Sequence, residues 1–190
     1  MKKLLLLTVF LLFLSACSNG DKNLAPKVTG DGPAYFEETL NHHLQFSLEI
    51  FYVSEDGSTQ PVQTSQPVKV KKGKPIKVVA TVTNNGEEDY TFDSNPCDGR
   101  LSMFIMNNSH DVKLKGEGDV TPEACIESLV THVLKKGEQI TAEATFQTDY
   151  DLPEGKQQGE AGNLFTIHVP YANQQFDATF EIEEEPSEKS

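Results

Sequence analysis

The chain has no tryptophan, only three cysteines among 190 residues, and too few basic side chains to balance its acids, 16 against 29. Each shortage excludes something. Without tryptophan, the antibody-type arrangement in which an indole packs on a central disulfide is ruled out. A formal charge of −13 is repelled by nucleic acid and by anionic lipid head groups, so no nucleic-acid partner is expected. There is no CxxC pair, no G-x-S-x-G elbow and no repeat at 20–50-residue spacing. The strands do not alternate with helical segments, which argues against a Rossmann-type enzyme. No apolar run is long enough for a membrane span. The longest, Leu4 to Leu14, would cover roughly 16 Å as a helix, about half of a bilayer's hydrocarbon core.

That run nevertheless has a purpose. Lys2 and Lys3 precede it and small residues follow, the pattern of a secretory leader. Leu14-Ser15-Ala16-Cys17 resembles the lipobox of bacterial lipoproteins, in which a diacylglycerol is joined to the cysteine sulfur and the peptide is cut just before it. The resemblance implies that residues 1–16 are removed and that Cys17 becomes a lipid anchor on the outer face of a bacterial cell membrane. Two acyl chains hold a protein stably where one is marginal. Loss of Lys2 and Lys3 leaves 14 basic residues against 29 acidic, a formal charge of −15. From Ser18 to Pro33 the chain is polar and rich in Gly, Pro and Asn. Residues 17–33 therefore read as a lipidated flexible tether with a typical reach of about 20–25 Å.

With Cys17 acylated, Cys97 and Cys125 remain, and an even pair in an exported protein is most simply a disulfide. In the chain-entropy model a loop of about 29 residues makes such a bridge worth roughly 3–4 kcal/mol. Cys97 follows Asn95-Pro96 in a turn-like segment. The bridge is therefore expected to tie two loops, "NPCDG" and "TPEAC", at one rim of the domain, where binding residues tend to sit.

Between residues 34 and 183 the pattern is strand after strand. "LQFSLEIFY" sends Leu44, Phe46, Leu48, Ile50 and Tyr52 to one face, and "IKVVATV" does the same with Ile76, Val78, Ala80 and Val82. Tyr90 and Phe92 open another strand, and Ile140, Ala142, Ala144 and Phe146 mark a later one. "LFTIHVPY" and "QFDATFEIEEE" are the last two. "RLSMFIMN" is apolar on both faces and is expected to be a central strand. "AYFEETLNHHL" is expected to hold one short helical turn. The fold class is all-β, an antiparallel β-sandwich of about seven to nine strands, followed by an acidic tail at residues 184–190.

From Ile76 to about Ile182, "IKVVATVTNNGEEDYTFD", "LSMFIM", "VLKKGEQITAEATF" and "LPEGK" occur in an order similar to that of the BsuPI-like intracellular proteinase inhibitor family. That resemblance implies an Ig-like sandwich and a role in modulating a protease. The segment between Cys97 and Cys125, or "LPEGK", would be the reactive loop.

Catalytic chemistry finds no constellation. His42, His43, His110, His132 and His168 lack the accompanying nucleophile pattern. His168 lies between Ile167 and Val169, so alternation sends it outward to a surface position, and His132 is expected to be partly buried. Met103, Met106 and His110 do not share a strand face, so copper is not expected. The nearest approach to a calcium loop is "DYDLPEGKQQGE". It places Asp149, Asp151 and Glu160 at the first, third and twelfth positions, but Pro153 and Glu154 stand where an oxygen ligand and a glycine belong. The expectation is a non-enzymatic binding module without a cofactor, its partners the membrane and another envelope or secreted protein. The alternative is a metal-dependent envelope protein or enzyme using the acidic loop 149–160.

Overall fold

Why the alternating segments become sheets is visible in β2 (Leu44–Val53), whose Leu44, Phe46, Leu48 and Ile50 are all buried while the residues between them are not. Period-two alternation gives a strand one apolar face, which must then be covered. The structure is a computed structural model that describes residues 33–40, 43–109, 112–122, 124–151 and 162–184. The leader, Cys17 and most of the tether lie outside these residues, as does the tail from residue 185 onward. Among the described residues no helix is long and apolar enough to cross a membrane.

Among the described residues there are twelve strands and no helix. One sheet runs in the order β1 (Ala34–Leu40), β2, β5 (Ile76–Asn84), β10 (Gln139–Phe146) and β8 (Gly116–Gly118), with β3 (Thr59–Pro61) continuing beside β2 beyond the end of β1. The second sheet has the order β4 (Val68–Lys71), β12 (Gln174–Glu183), β11 (Leu164–Tyr171) and β7 (Phe104–Asn107). The remaining pair, β6 (Tyr90–Ser94) and β9 (Val130–Leu134), forms a separate ribbon. The two large sheets share one hydrophobic cluster, the mark of a β-sandwich. Phe46 of the first stacks on Phe176 of the second with ring centroids 5.5 Å apart.

The count exceeds the seven to nine strands expected, partly because three-residue strands such as β3 and β8 form in segments that turn residues mark as loops. Two local expectations are corrected. Residues 34–40 are a strand and not a helical turn: Ala34 and Phe36 are buried, and the whole segment pairs with β2 from Ala34↔Ile50 to Leu40↔Leu44. The "MFIM" strand is not central, since β7 is last in its sheet and pairs only with β11 among the named strands. Its two-sided apolar pattern has another cause. Irregular residues cover its free edge, with Leu114 N donating to Ile105 O and Asn107 N to Val112 O, both at 2.9 Å. The Phe104 ring meanwhile stacks on His168 and is approached by Lys113. Every named strand pair is antiparallel except β4 with β12, where Lys69 makes an ion pair with Glu183.

Candidate functional site

The β6–β9 ribbon is built by the same alternation as the sheets, but only one of its faces meets the core. Tyr90↔Leu134, Phe92↔His132 and Ser94↔Val130 are opposed on the inner side, and Thr91↔Val133 and Asp93↔Thr131 on the outer. Phe92 packs edge-on against Tyr171 at 5.5 Å, and Tyr171 in turn meets Phe46 at 6.4 Å, so one ring joins the ribbon to both sheets. Burial pushes the Tyr171 hydroxyl up to about 12, with Glu138 and Tyr90 adding to the shift. Beside β6 the ribbon rests on the two-residue β11–β12 turn. There Ala172 and Asn173 both have positive φ, and Asn173 Oδ1 accepts a bond from the Ser94 hydroxyl at 3.4 Å.

Beyond Ser94 the chain makes the turn that carries Cys97. Asn95 holds it: its Oδ1 accepts from Cys97 N at 2.9 Å and from Asp98 N at 3.2 Å, while its amide donates to Asp98 at 2.6 Å. These bonds replace the ladder that ends at Ser94. His132 braces the turn from β9. Its ring stacks on Phe92 at 4.9 Å, and its Nε2 lies 2.9 Å from the Asn95 carbonyl, which can only accept, so Nε2 carries the proton. Gly99 must stay small, because a Cβ there would lie 2.0 Å from the His132 ring. On the other arm, Thr121 N bonds Met103 O at 2.9 Å and leads the chain back to Cys125. The Cys97–Cys125 disulfide joins the two arms, with a Cα–Cα distance of 6.1 Å. It ties two loops beyond the end of the ribbon.

At the opposite end, Asn84 ties the ribbon to β5. It is buried, and its Nδ2 donates to Glu88 O at 2.9 Å and to Leu134 O at 3.0 Å, while its Oδ1 accepts from Gly86 N at 2.9 Å. A groove of about 540 Å³ runs along this turn between His43 and the carboxylates Glu87, Glu88 and Asp89.

What distinguishes the ribbon is what it leaves in water. Ile126 is 75% exposed, Leu129 77%, Val133 51% and Val130 37%, and these are the exposed large hydrophobic residues among those described. Four aliphatic side chains are thus exposed within eight residues of one covalently pinned strap, with Val133 on the outer face of the ribbon and Val130 at the open end of the inner one.

The other sequence candidates disperse. Asp149 and Asp151 are exposed, Glu154 and Glu160 lie outside the described residues, and no group of three metal-ligating side chains occurs among those that are described. Met103 is a core residue, Met106 is half-buried, and His42 and His110 lie outside the described residues. His132 is partly buried as expected, but as a structural brace. His168 does point away from the sandwich interior, yet it is not at the surface. It is 9% exposed, stacked on Phe104 at 4.6 Å and bonded to Asp177 Oδ1 at 2.8 Å, because the neighbouring strands contribute large side chains to the same outer face. The exposed aliphatics were not anticipated. Their trace in the sequence is the run "CIESLVTHVL", which has more apolar residues than one strand face can bury.

Fold and ribbon together define a class: an all-β sandwich that presents a disulfide-closed strap with an apolar surface. No protein-family model matches the chain, and no curated protein sequence matches it. Among solved structures, one similar to part of it is the alkylpurine DNA glycosylase AlkC of Pseudomonas fluorescens bound to DNA containing an abasic-site analogue. The identity is 15%, over 62% of this chain and 28% of that one, with a TM-score of 0.32. A beta-glucosidase from Listeria innocua in complex with glucose gives 13% identity over 75% and 16%, with a TM-score of 0.33. The PapD-like domain of human CEP192 gives 12% over 70% and 99%, with a TM-score of 0.23. The chain thus spans less than a third of the first two proteins, and overlaps this loose carry no argument about activity or ligand.

Proposed function

We propose that this protein is a lipid-anchored, extracytoplasmic binding module of a bacterial envelope, and that it holds a protein partner through the disulfide-closed ribbon. The observation that carries the reading is the exposed group Ile126, Leu129, Val130 and Val133 on a strap fixed by Cys97–Cys125. Apolar surface of this kind on a pinned strap is favourable once a partner covers it. The lipobox-like "LSAC", the leader and the polar tether support an anchored, exported location, and the bridge suits an oxidising compartment. The sharper form, a proteinase inhibitor or protease modulator, is supported by the BsuPI-like order of motifs.

The lipidated protein, purified in detergent, is titrated into a secreted subtilisin-type serine protease and residual activity is measured. Stoichiometric loss of activity is expected for an inhibitor. Full activity at excess of intact, folded protein would discard the protease arm. Anchoring is tested by Cys17→Ser, which should move the protein out of the membrane fraction and remove the acyl mass. Retention in that fraction with no acyl mass on Cys17 would discard the anchor.

A further inference from the structure

β9 is an edge strand of the two-stranded ribbon. Among the described residues it pairs only with β6, so the backbone groups on its far side have no ladder. The two sides of the ribbon differ. β6 carries Thr91 and Asp93 outward and leans on the β11–β12 turn through Ser94 and Asn173, whereas the aliphatic group gathers on and just before β9. No charged side chain lies between Leu129 and Leu134, although natural edges are commonly protected by charge, proline or a bulge. An unprotected edge with apolar side chains is the form that strand addition uses: main-chain bonds give affinity and alternate side chains give specificity.

Charge selects the partner. Asp93, Asp98 and Glu127 flank the Val130 end, and Glu87, Glu88 and Asp89 lie at the turn near the other end, with Arg100, Lys135 and Lys136 offsetting only part of this. A second copy of this acidic chain would bring like rims together within about one Debye length, roughly 10 Å at 0.1 M salt. The molecule shows within itself what suits an acidic edge. β4, "VKVK", alternates valine and lysine and lies beside the acidic end of β12, with Lys69 on Glu183 and Lys72 3.5 Å from Glu184.

We infer that β9 is a docking edge for an extended segment of an exported protein in which aliphatic side chains alternate with basic ones. This rests on the binding-module reading and adds to it the surface and the chemistry of what is bound. The segment extends the ribbon by one strand along Val130–Leu134, its aliphatic side chains cover Leu129 and Val133, and its cations meet the acidic rims.

The probe is a synthetic peptide, acetyl-Lys-Val-Thr-Val-Lys-Val-Thr-Val-Lys-amide, added to the lipidated full-length protein in detergent, with the Glu-for-Lys peptide as comparison. Amide hydrogen exchange is read across the chain. The Lys peptide is expected to slow exchange at 130–134, the Glu peptide is not, and Val133→Lys should weaken the Lys peptide by about tenfold or more. No slowing at 130–134, or slowing only at β12, overturns the inference. Concentration-dependent dimers with 130–134 protected and no peptide present also overturn it, since the occupant would then be a second copy. The two readings fail separately. Protease inhibition without protection of β9 leaves a binding module with another surface, whereas peptide capture at β9 without inhibition removes only the protease arm.

Discussion

The central trio β2, β5 and β10 and the β6–β9 ribbon are written in the same alternating code, yet they are held in place by different means. In β5 every second residue from Ile76 to Asn84 is buried, because a facing sheet supplies Phe176, Ala178 and Phe180 across the interior. In β9 only Leu134 is buried; the ribbon meets the sandwich through Phe92 on Tyr171 and, among the described residues, pairs with neither large sheet. Burial organises the trio. The ribbon is organised by a covalent bond, the Asn84 and His132 hydrogen bonds, and the ring contacts of Phe92 with His132 and Tyr171. A region secured in that way is free to expose aliphatic side chains, which a region secured by burial is not.

The comparison breaks first at Phe46. It is buried, stacks on Phe176 and meets Tyr171, so Phe46→Ala should cost about 3–5 kcal/mol in urea unfolding. Ile126→Ala, at a residue 75% exposed, should cost less than about 0.5 kcal/mol. The next largest effect belongs to the bridge. Cys97 and Cys125 are 28 residues apart, and replacing both by serine should remove about 3–4 kcal/mol. Where that loss appears sharpens the contrast. Amide exchange should quicken in β6 and β9 well before β5 and β10; equal acceleration in all four would make the ribbon part of the same cooperative unit.

A pH dependence comes third. The folded Tyr171 hydroxyl titrates near 12, above its ordinary value of 10, because burial favours the neutral form. Below pH 10 both states are protonated and nothing is lost. Above it the unfolded chain releases the proton first, so stability falls from about pH 10 and levels near pH 12, by up to roughly 3 kcal/mol. Tyr171→Phe should show a shallower alkaline decline than the parent in melting experiments at pH 9 to 12. Identical slopes would mean that the hydroxyl finds water in the folded state.

Much of this architecture was legible because alternation is a strong constraint. The inward faces of β2 and β5 follow from residue spacing alone, and so does the pairing of two loops by Cys97 and Cys125. The misreadings share a cause. Residues 34–40 gain their strand from β2, and "MFIM" gains its second covered face from His168 and from residues 112–115, contacts with other segments that leave no period within the strand itself. The ribbon's exposed patch is harder still. Ile126, Leu129, Val130, Val133 and Leu134 have the three-and-four spacing of one helix face, which a helix would bury together. Pairing with β6 and the disulfide hold them on a strap instead, where alternation buries Leu134 and turns Val133 outward.

A smaller effect is expected where trio and ribbon join. Asn84→Ala would leave the Glu88 and Leu134 carbonyls and the Gly86 amide without their side-chain partner, a loss of about 1–3 kcal/mol, with the ribbon's amides affected more than β2's.

The smallest effect on stability carries the most about function. Val133 faces outward opposite Thr91 and is 51% exposed, so Val133→Thr keeps the β-branched shape while removing part of the apolar surface. The urea midpoint should move by less than about 0.5 kcal/mol in equivalent stability. The same change on β5, Val78→Thr, places a hydroxyl in the buried face and should cost about 1–3 kcal/mol. A substitution that spares folding at Val133 but weakens capture of a basic, aliphatic peptide separates the two uses of apolar surface in this molecule. If Val133→Thr destabilised the fold as much as Val78→Thr, the outer face of the ribbon would be packed after all, and the patch would belong to the core.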